Sequence, residues 1–358
     1  MSKPKILFDG WPLAYHPNSP AALHLLTLLA ILPDEVEAHL ACPAVIFSHL
    51  PENVNVDMHP TLNTEGGHLG WEQSWLPKRA AQLGAVLLTA SSGSALFSRG
   101  GVLPSPAGFG REDRPAGGLA GRVRLAAAGG GLSRAKAVLW PDDLLPGGLT
   151  NTFKLPPVVH PAFSPAEEFY PPDVPGLDLP ESYVLYHGPQ SFSALRKVLD
   201  TWTWAAAPIG DFYPLLIAGL GSEARAYVEH LLPGYGLQSS VRILPADLPP
   251  AWLGLLYQYC TVFFQPFEPS VWGSPIRHAL ACGRPVVSVE HPQTDALVGP
   301  AALLMESRDA KGLASGLISM VVKDKVAEGL QAAALARAEP WRDLGAFRSK
   351  LLVLLNSI

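Results

Sequence analysis

Ser270-Val-Trp-Gly-Ser-Pro-Ile-Arg-His-Ala-Leu-Ala-Cys-Gly-Arg-Pro-Val-Val-Ser-Val289 decides how this chain is read. It divides into a loop, a helix start, a short helix and a buried strand. Ser274 has the side chain of an N-cap, because its hydroxyl can accept from the free N–H groups of a first helical turn. Pro275 suits the first helical position, where a missing N–H costs nothing. Ile276, Ala279 and Leu280 recur on one helical face. Gly283 ends the helix in the left-handed conformation that glycine tolerates best, and Pro285–Val289 follows as a β-run buried on both faces. The turn at Gly273-Ser274 then presents unpaired N–H groups and the positive end of a helix dipole, the chemistry of an anion site.

The longer run QPFEPSVWGSPIRHALACGRPVVS, from Gln265 to Ser288, resembles the donor-binding segment of GT-B glycosyltransferases of the retaining, glycogen-synthase-like group (group 1, family-4-like). Gly273, Pro275 and Ala281–Val287 match that group's pattern. The pattern also carries two glutamates separated by seven residues, and here Ser270 and His278 stand in their places. The resemblance implies an α/β fold of two Rossmann-like domains facing a central cleft, with a C-terminal helix returning to the first domain. It implies sugar transfer from a nucleotide-diphosphate sugar, with retention and without a metal or other cofactor.

Composition agrees with two domains. A chain of 358 residues exceeds the usual single domain, and 48% hydrophobic residues suffice for two cores. A net charge of −5 gives no reason to expect nucleic acid. Cys42, Cys260 and Cys282 lie far apart without metal-ligand spacing, which suggests reduced core thiols and a cytoplasmic protein. The charged start Met-Ser-Lys-Pro-Lys, followed by a strand-like Ile-Leu-Phe, does not read as a signal peptide. No apolar run is long enough for an integral membrane span; peripheral membrane attachment stays open.

In chain order, Lys5–Asp9 reads as a first strand, with a helix over 20–32 and further short strands at 37–41, 54–56 and 86–88. The loop Trp11–Pro20 lacks the glycines the resemblance would place there, and WEQSWLP (71–77) is similar to a segment of the same group. From Ser91 to Gly131 the composition turns to Gly, Pro, Ala and Ser with little periodicity, so a long loop is expected; the group's His-Asp pair is missing from it. A strand is expected at 135–140, and Val158–Pro165 resembles the strand and linker that leave a first domain. A Pro-rich break at 163–180 sets the domains at 1–165, 166–340 and a returning helix at 341–358. Beyond it, strands at 183–187, 215–218, 241–244, 261–265 and 285–289 alternate with helices, the pattern of a doubly wound parallel sheet.

Ligands of such sheets bind at the carboxyl ends of the strands. Three loops there carry the candidate donor site. Gly188, with Arg196 and Lys197 behind it, matches the group's turn and basic pair, which hold the diphosphate; a solvated helix face is the ordinary alternative. Gly219 and Gly221, in Ala218-Gly-Leu-Gly-Ser222, form a Gly-x-Gly that is as often tight packing as ligand contact. The third loop contributes Trp272, Gly273, Ser274 and Pro275, with Trp272 either a stacking surface or a lid. For catalysis the candidates are Ser270 and His278, in the glutamate positions, and His68, in a Gly66-Gly-His-Leu-Gly70 loop of the acceptor half. Glu268 reads as an exposed loop residue. No metal motif is present. The acceptor, whether glycan, lipid-linked or small molecule, is not specified. The rival reading is a GT-B protein without activity that binds nucleotide, sugar or a partner enzyme.

Overall fold

The computed structural model describes residues 3–46, 50–90, 95–96, 101–108, 119–145, 148–168, 177–306 and 309–358. The chain divides into two compact units. Unit 1 holds residues 1–160, 270–273 and 341–358, and unit 2 holds 161–269 and 274–340.

Unit 1 is built on five parallel strands: β1 (Lys5–Asp9), β2 (Glu37–Cys42), β3 (Val54–Met58), β4 (Val86–Thr89) and β5 (Val102–Pro104). Their order is β3-β2-β1-β4-β5. Ile6, Leu7 and Phe8 of β1 are fully buried and pair with β2 on one side and β4 on the other, as expected of an apolar run covered on both faces. A parallel pair, β6 (Val138–Pro141) and β7 (Thr152–Leu155), completes the strands of this unit among the described residues. The helix over 20–31 is started by Ser19, whose hydroxyl accepts from Ala22 N, with Pro20 at its first position. The helix over 344–356 buries Phe347, Leu351, Leu354 and Leu355 in the same core. At about 2 kcal/mol for each large apolar side chain removed from water, this helix is anchored by its hydrophobic face.

Unit 2 contains six parallel strands: β8 (Val184–Tyr186), β9 (Leu215–Ile217), β10 (Val241–Ile243), β11 (Val262–Gln265), β12 (Val286–Val289) and β13 (Ala302–Met305), in the order β10-β9-β8-β11-β12-β13. The order reverses between β8 and β11, so the crevice of a doubly wound sheet falls at the carboxyl ends of those two strands. The same reversal falls between β1 and β4 in unit 1. Among the described residues, no helix is long and apolar enough to cross a membrane.

Four local expectations are corrected. The 91–131 stretch holds β5 and most of a 16-residue helix, Leu119–Arg134, that runs past its end. That helix buries Gly121, Ala128 and Gly131, so it packs through small residues and leaves no apolar stripe to read. β5 is a three-residue edge strand ending at Pro104, where a missing N–H is tolerated. Much of the remainder, 91–94, 97–100 and 109–118, lies outside the described residues. The second correction is at 65–70, which is a helix capped by Thr64 rather than a flexible loop. Third, the strand near the end of the first 160 residues is Thr152–Leu155, several residues before Val158. Fourth, β13 and the helices over 292–298, 310–322 and 324–338 continue the alternation past residue 289, where the sequence reading stops.

Candidate functional site

At the crevice of the second sheet, β8 ends and the chain turns through His187, Gly188 and Pro189. Gln190 follows and ties two loops together. Its amide nitrogen donates to Gly219 O at 2.5 Å, and its amide oxygen accepts from Gly221 N at 2.8 Å. The Gly-x-Gly after β9 is thus held by one side chain from the loop after β8. Ser191 caps the next helix, accepting from Ala194 N. A Cβ at Gly188 would meet the Tyr186 ring at 3.0 Å, so the turn passes close over that ring.

The basic pair separates. Lys197 turns toward the end of β11, donating to Pro266 O at 3.3 Å with its ammonium 5.3 Å from the Phe267 ring centre. Arg196 is exposed and engages Tyr235, whose hydroxyl donates to Asp200 at 2.6 Å. The hydrogen bond to Tyr235, then the nearby charges, raise the Arg196 pKa. Adjacent helical positions lie about 100° apart, so two neighbours cannot both face one ligand squarely.

The motif stretch is divided between the units. Ser270–Gly273 belongs to unit 1 and Ser274 onward to unit 2. Ser270 is fully buried; its hydroxyl donates to Trp272 O and accepts from Gly108 N at 2.9 Å, which pins a turn. Trp272 is a core residue: its indole N–H donates to Leu139 O at 2.9 Å and its ring stacks on His24 with centroids 4.9 Å apart. Gly273 has φ +60, and a Cβ there would lie 2.0 Å from Pro20 O. Both the backbone conformation and the close approach require glycine.

In unit 2, Ser274 sits at the N-cap position without making a cap bond, and its buried hydroxyl has no hydrogen-bond partner among the described residues. Pro275 opens the seven-residue helix Pro275–Ala281, which is buried along its whole length. Gly283 closes it at φ +69, with Gly283 N donating to Leu280 O and Arg284 N to Ala279 O, both at 2.9 Å. His278 is buried and stacked on Phe163 at 3.9 Å, with Tyr257 edge-on at 5.9 Å. Tyr257 also shares a 2.7 Å hydrogen bond with His187 Nδ1.

Gln190 and Gln265 are the polar residues that motif reading passed over. Gln265 ends β11 fully buried, with neither side-chain amide atom hydrogen-bonded to any of the described residues. The signal available for both was position alone, at the carboxyl ends of strands flanking the reversal.

His68, the third catalytic candidate, is buried in unit 1 within a charged network. Its ring lies flat on Trp11 at 4.0 Å, and Nε2 is 3.1 Å from Glu72 Oε1 and 3.3 Å from Arg124 Nη2. Arg124 Nε donates to Glu72 Oε2 at 2.9 Å. Burial would raise the Glu72 pKa, but His68 and then Arg124 hold it below the ordinary value. Asp9, the last residue of β1, accepts on Oδ1 from Trp11 N at 3.0 Å and from Trp71 Nε1 at 2.8 Å. Burial raises its pKa against the opposing pull of His68 and Trp71. The cysteines are buried and free of disulfides; burial pushes the Cys42 and Cys260 thiols up to about 12.

Residues 190–323 match the family model described as glycosyl transferases group 1. No curated protein sequence matches the chain. Among solved structures, HepE of Anabaena in complex with UDP and glucose is similar at 16% identity and a TM-score of 0.70, with both chains covered in full. WaaG, a glycosyltransferase involved in lipopolysaccharide biosynthesis, has 12% identity and a TM-score of 0.71, over 99% of this chain and 100% of that one. Sucrose-phosphate synthase from Thermosynechococcus elongatus has 17% identity and a TM-score of 0.68, over 99% and 98%. Residues 190–323 thus match the group 1 glycosyl transferases, the group the resemblance named, within a chain that has the GT-B fold.

Proposed function

We propose that this protein transfers a sugar from a nucleotide-diphosphate sugar to a hydroxyl-bearing acceptor, with the donor held in unit 2 at the reversal of the sheet. The observation that carries this reading is the Gln190 clamp on Gly219 and Gly221, at the strand ends where such sheets bind ligands. It lies at the start of the segment that matches the family model.

In this reading the turns at Gly188, Gly219 and Gly221 let the backbone approach the diphosphate closely. Lys197 supplies the fixed positive charge that stabilises the diphosphate as the sugar leaves. Arg196, held on the outer face by Tyr235, contributes to the field without contacting the donor. Ser274 and Gln265 bring buried polar atoms that a donor can satisfy. Gly273 and Pro275 act by shaping the turn and the helix that follow. Retention, the absence of a metal from the transfer step and a cytoplasmic location are carried over from the resemblance and the thiol content. UDP-glucose is the first donor to test, because HepE is similar in fold and its structures hold UDP and UDP-glucose.

A second reading is favoured by specific contacts. Ser270 is engaged in a turn, and His278 is packed between Phe163 and Tyr257. Neither has the carboxylate that the resemblance would put at its position, which favours a protein that binds a donor without turning it over. A thermal-shift screen against UDP-, GDP- and ADP-sugars, followed by donor-hydrolysis and transfer assays on any hit, separates the two. A ligand of the native state raises the melting temperature according to its affinity. A melting shift with transfer or slow hydrolysis supports the enzyme, a shift with neither supports the binding protein, and no shift with any donor rejects the site.

A further inference from the structure

The carboxyl end of β1 holds a set of side chains to which the function proposed above assigns no role. Asp9 Oδ1 is fixed by Trp11 N and Trp71 Nε1, while Oδ2 is buried with no hydrogen-bond partner among the described residues. A fully buried carboxylate oxygen with nothing to bind is costly and asks for an occupant. His68 and Glu72, one helical turn apart, aim ring nitrogen and carboxylate at the same place. Asp9, His68 and Glu72 each offer one atom, and these atoms all lie within 4.8 Å of one another.

We propose that a carboxylate oxygen of Asp9, with His68 Nε2 and Glu72 Oε1, forms a site for a divalent transition-metal cation, of which Zn²⁺ is the best match. Two carboxylates and one imidazole are a recognised ligand set for zinc. The 3.1 Å between His68 Nε2 and Glu72 Oε1 is close to the edge of a tetrahedron with bonds of about 2 Å. A fourth position is left for water.

The surroundings already have the form of an outer shell. Trp11 N and Trp71 Nε1 orient Asp9, Arg124 Nε holds the second oxygen of Glu72, and the Trp11 ring fixes the plane of His68. Arg124 Nη2 is the competitor, at 3.2 Å from Glu72 Oε1 and 3.3 Å from His68 Nε2. The guanidinium is planar and rigid, so entry of a cation turns it as a whole toward Glu65 Oε2, which lies 3.6 Å from Nη1. Three carboxylates (Asp9, Glu65, Glu72) and one guanidinium leave two negative charges, which a divalent cation neutralises.

All of these residues belong to unit 1, whereas the proposed donor residues Gly188, Gln190, Lys197, Gly219 and Gly221 belong to unit 2. Metal binding measured without nucleotide therefore tests this site apart from the donor site. The experiment titrates ZnCl₂, MnCl₂ and MgCl₂ into the chelator-stripped full chain by calorimetry, and records the visible spectrum with Co²⁺. One Zn²⁺ per chain is expected, tighter than Mg²⁺. His68→Gln and the near-isosteric Asp9→Asn are each expected to weaken Zn²⁺ binding by roughly 100-fold with the fold intact by circular dichroism. His291→Gln, at a surface histidine 3.2 Å from Glu268, controls for adventitious binding and should change nothing. If His68→Gln does not fold, Asp9→Asn decides alone. No stoichiometric Zn²⁺ in the wild type, or unchanged affinity in the folded variants, overturns the site.

Discussion

The two sheets reverse strand order in the same way, yet the ends of their strands carry opposite chemistry. In unit 1 the reversal at β1 and β4 gathers buried charge: Asp9, His68, Glu72 and Arg124. In unit 2 the reversal at β8 and β11 gathers backbone turns, one amide clamp and one lysine. A charged, desolvated cluster fixes side chains in place and selects for charge, whereas glycine turns let a phosphate approach the backbone closely. Topology therefore says where each unit can bind, and side-chain chemistry says what.

The difference can be tested by breaking each side in turn, and the largest effects fall on the packing around them. Trp272→Ala removes a core indole and its hydrogen bond to Leu139 O; a loss of about 4 kcal/mol in unfolding free energy is expected from urea denaturation. A loss under 1 kcal/mol would show that the indole is not a core element. Gly273→Ala places a methyl group against Pro20 O at a positive φ; a loss of about 3 kcal/mol is expected in the same measurement.

The next effect is on binding. Lys197→Ala should weaken the donor found by thermal shift about 30-fold by calorimetry, an amount ordinary for a lost charge-assisted contact. Arg196→Ala should leave that affinity unchanged, because the side chain is engaged with Tyr235. Equal losses in both variants would mean that the pair acts together, against the geometry.

The smallest effect is a pH dependence in unit 1. Asp9 has a folded-state pKa raised above its ordinary 3.8, so the stability it contributes is full below pH 3.8 and lost as pH rises through the raised value. In metal-free protein, Asp9→Asn should gain stability relative to wild type as pH increases from 4 to 8. Denaturation curves giving a constant or shrinking difference would show that Asp9 is not carrying a buried charge. Glu72 works in the opposite sense: its pKa is lowered, so its contribution is present above pH 4.5 and lost as pH falls through the folded value.

Much of the fold was legible because strand and helix periods in both units are intact. β1, β4, β11 and β12 are largely apolar runs with turn residues beside them, and Pro275 and Gly283 bracket their helix as the residue types dictate. The helix over 119–134 was not legible, because it packs on glycine and alanine and shows no stripe. At the site, a motif locates residues that are close in sequence, which is why Gly188, Lys197 and the 270–289 stretch could be singled out. The network around Asp9 draws on positions 9, 68, 72 and 124, which only the folded strand order and helix placement bring together. The separation of Arg196 from Lys197 likewise follows from which helix face meets β11, a fact that adjacency in sequence conceals.

The central claim, a nucleotide-sugar site at the reversal of the second sheet, is tested most directly by titrating UDP-glucose, or the donor the thermal screen selects, into wild type and Gln190→Ala by calorimetry. Releasing the clamp frees the Gly219–Gly221 turn. The expected result is one donor per chain for wild type and an affinity at least 10-fold weaker for the variant, with the fold unchanged by circular dichroism. Equal affinity in the two proteins would place the donor elsewhere and contradict the account.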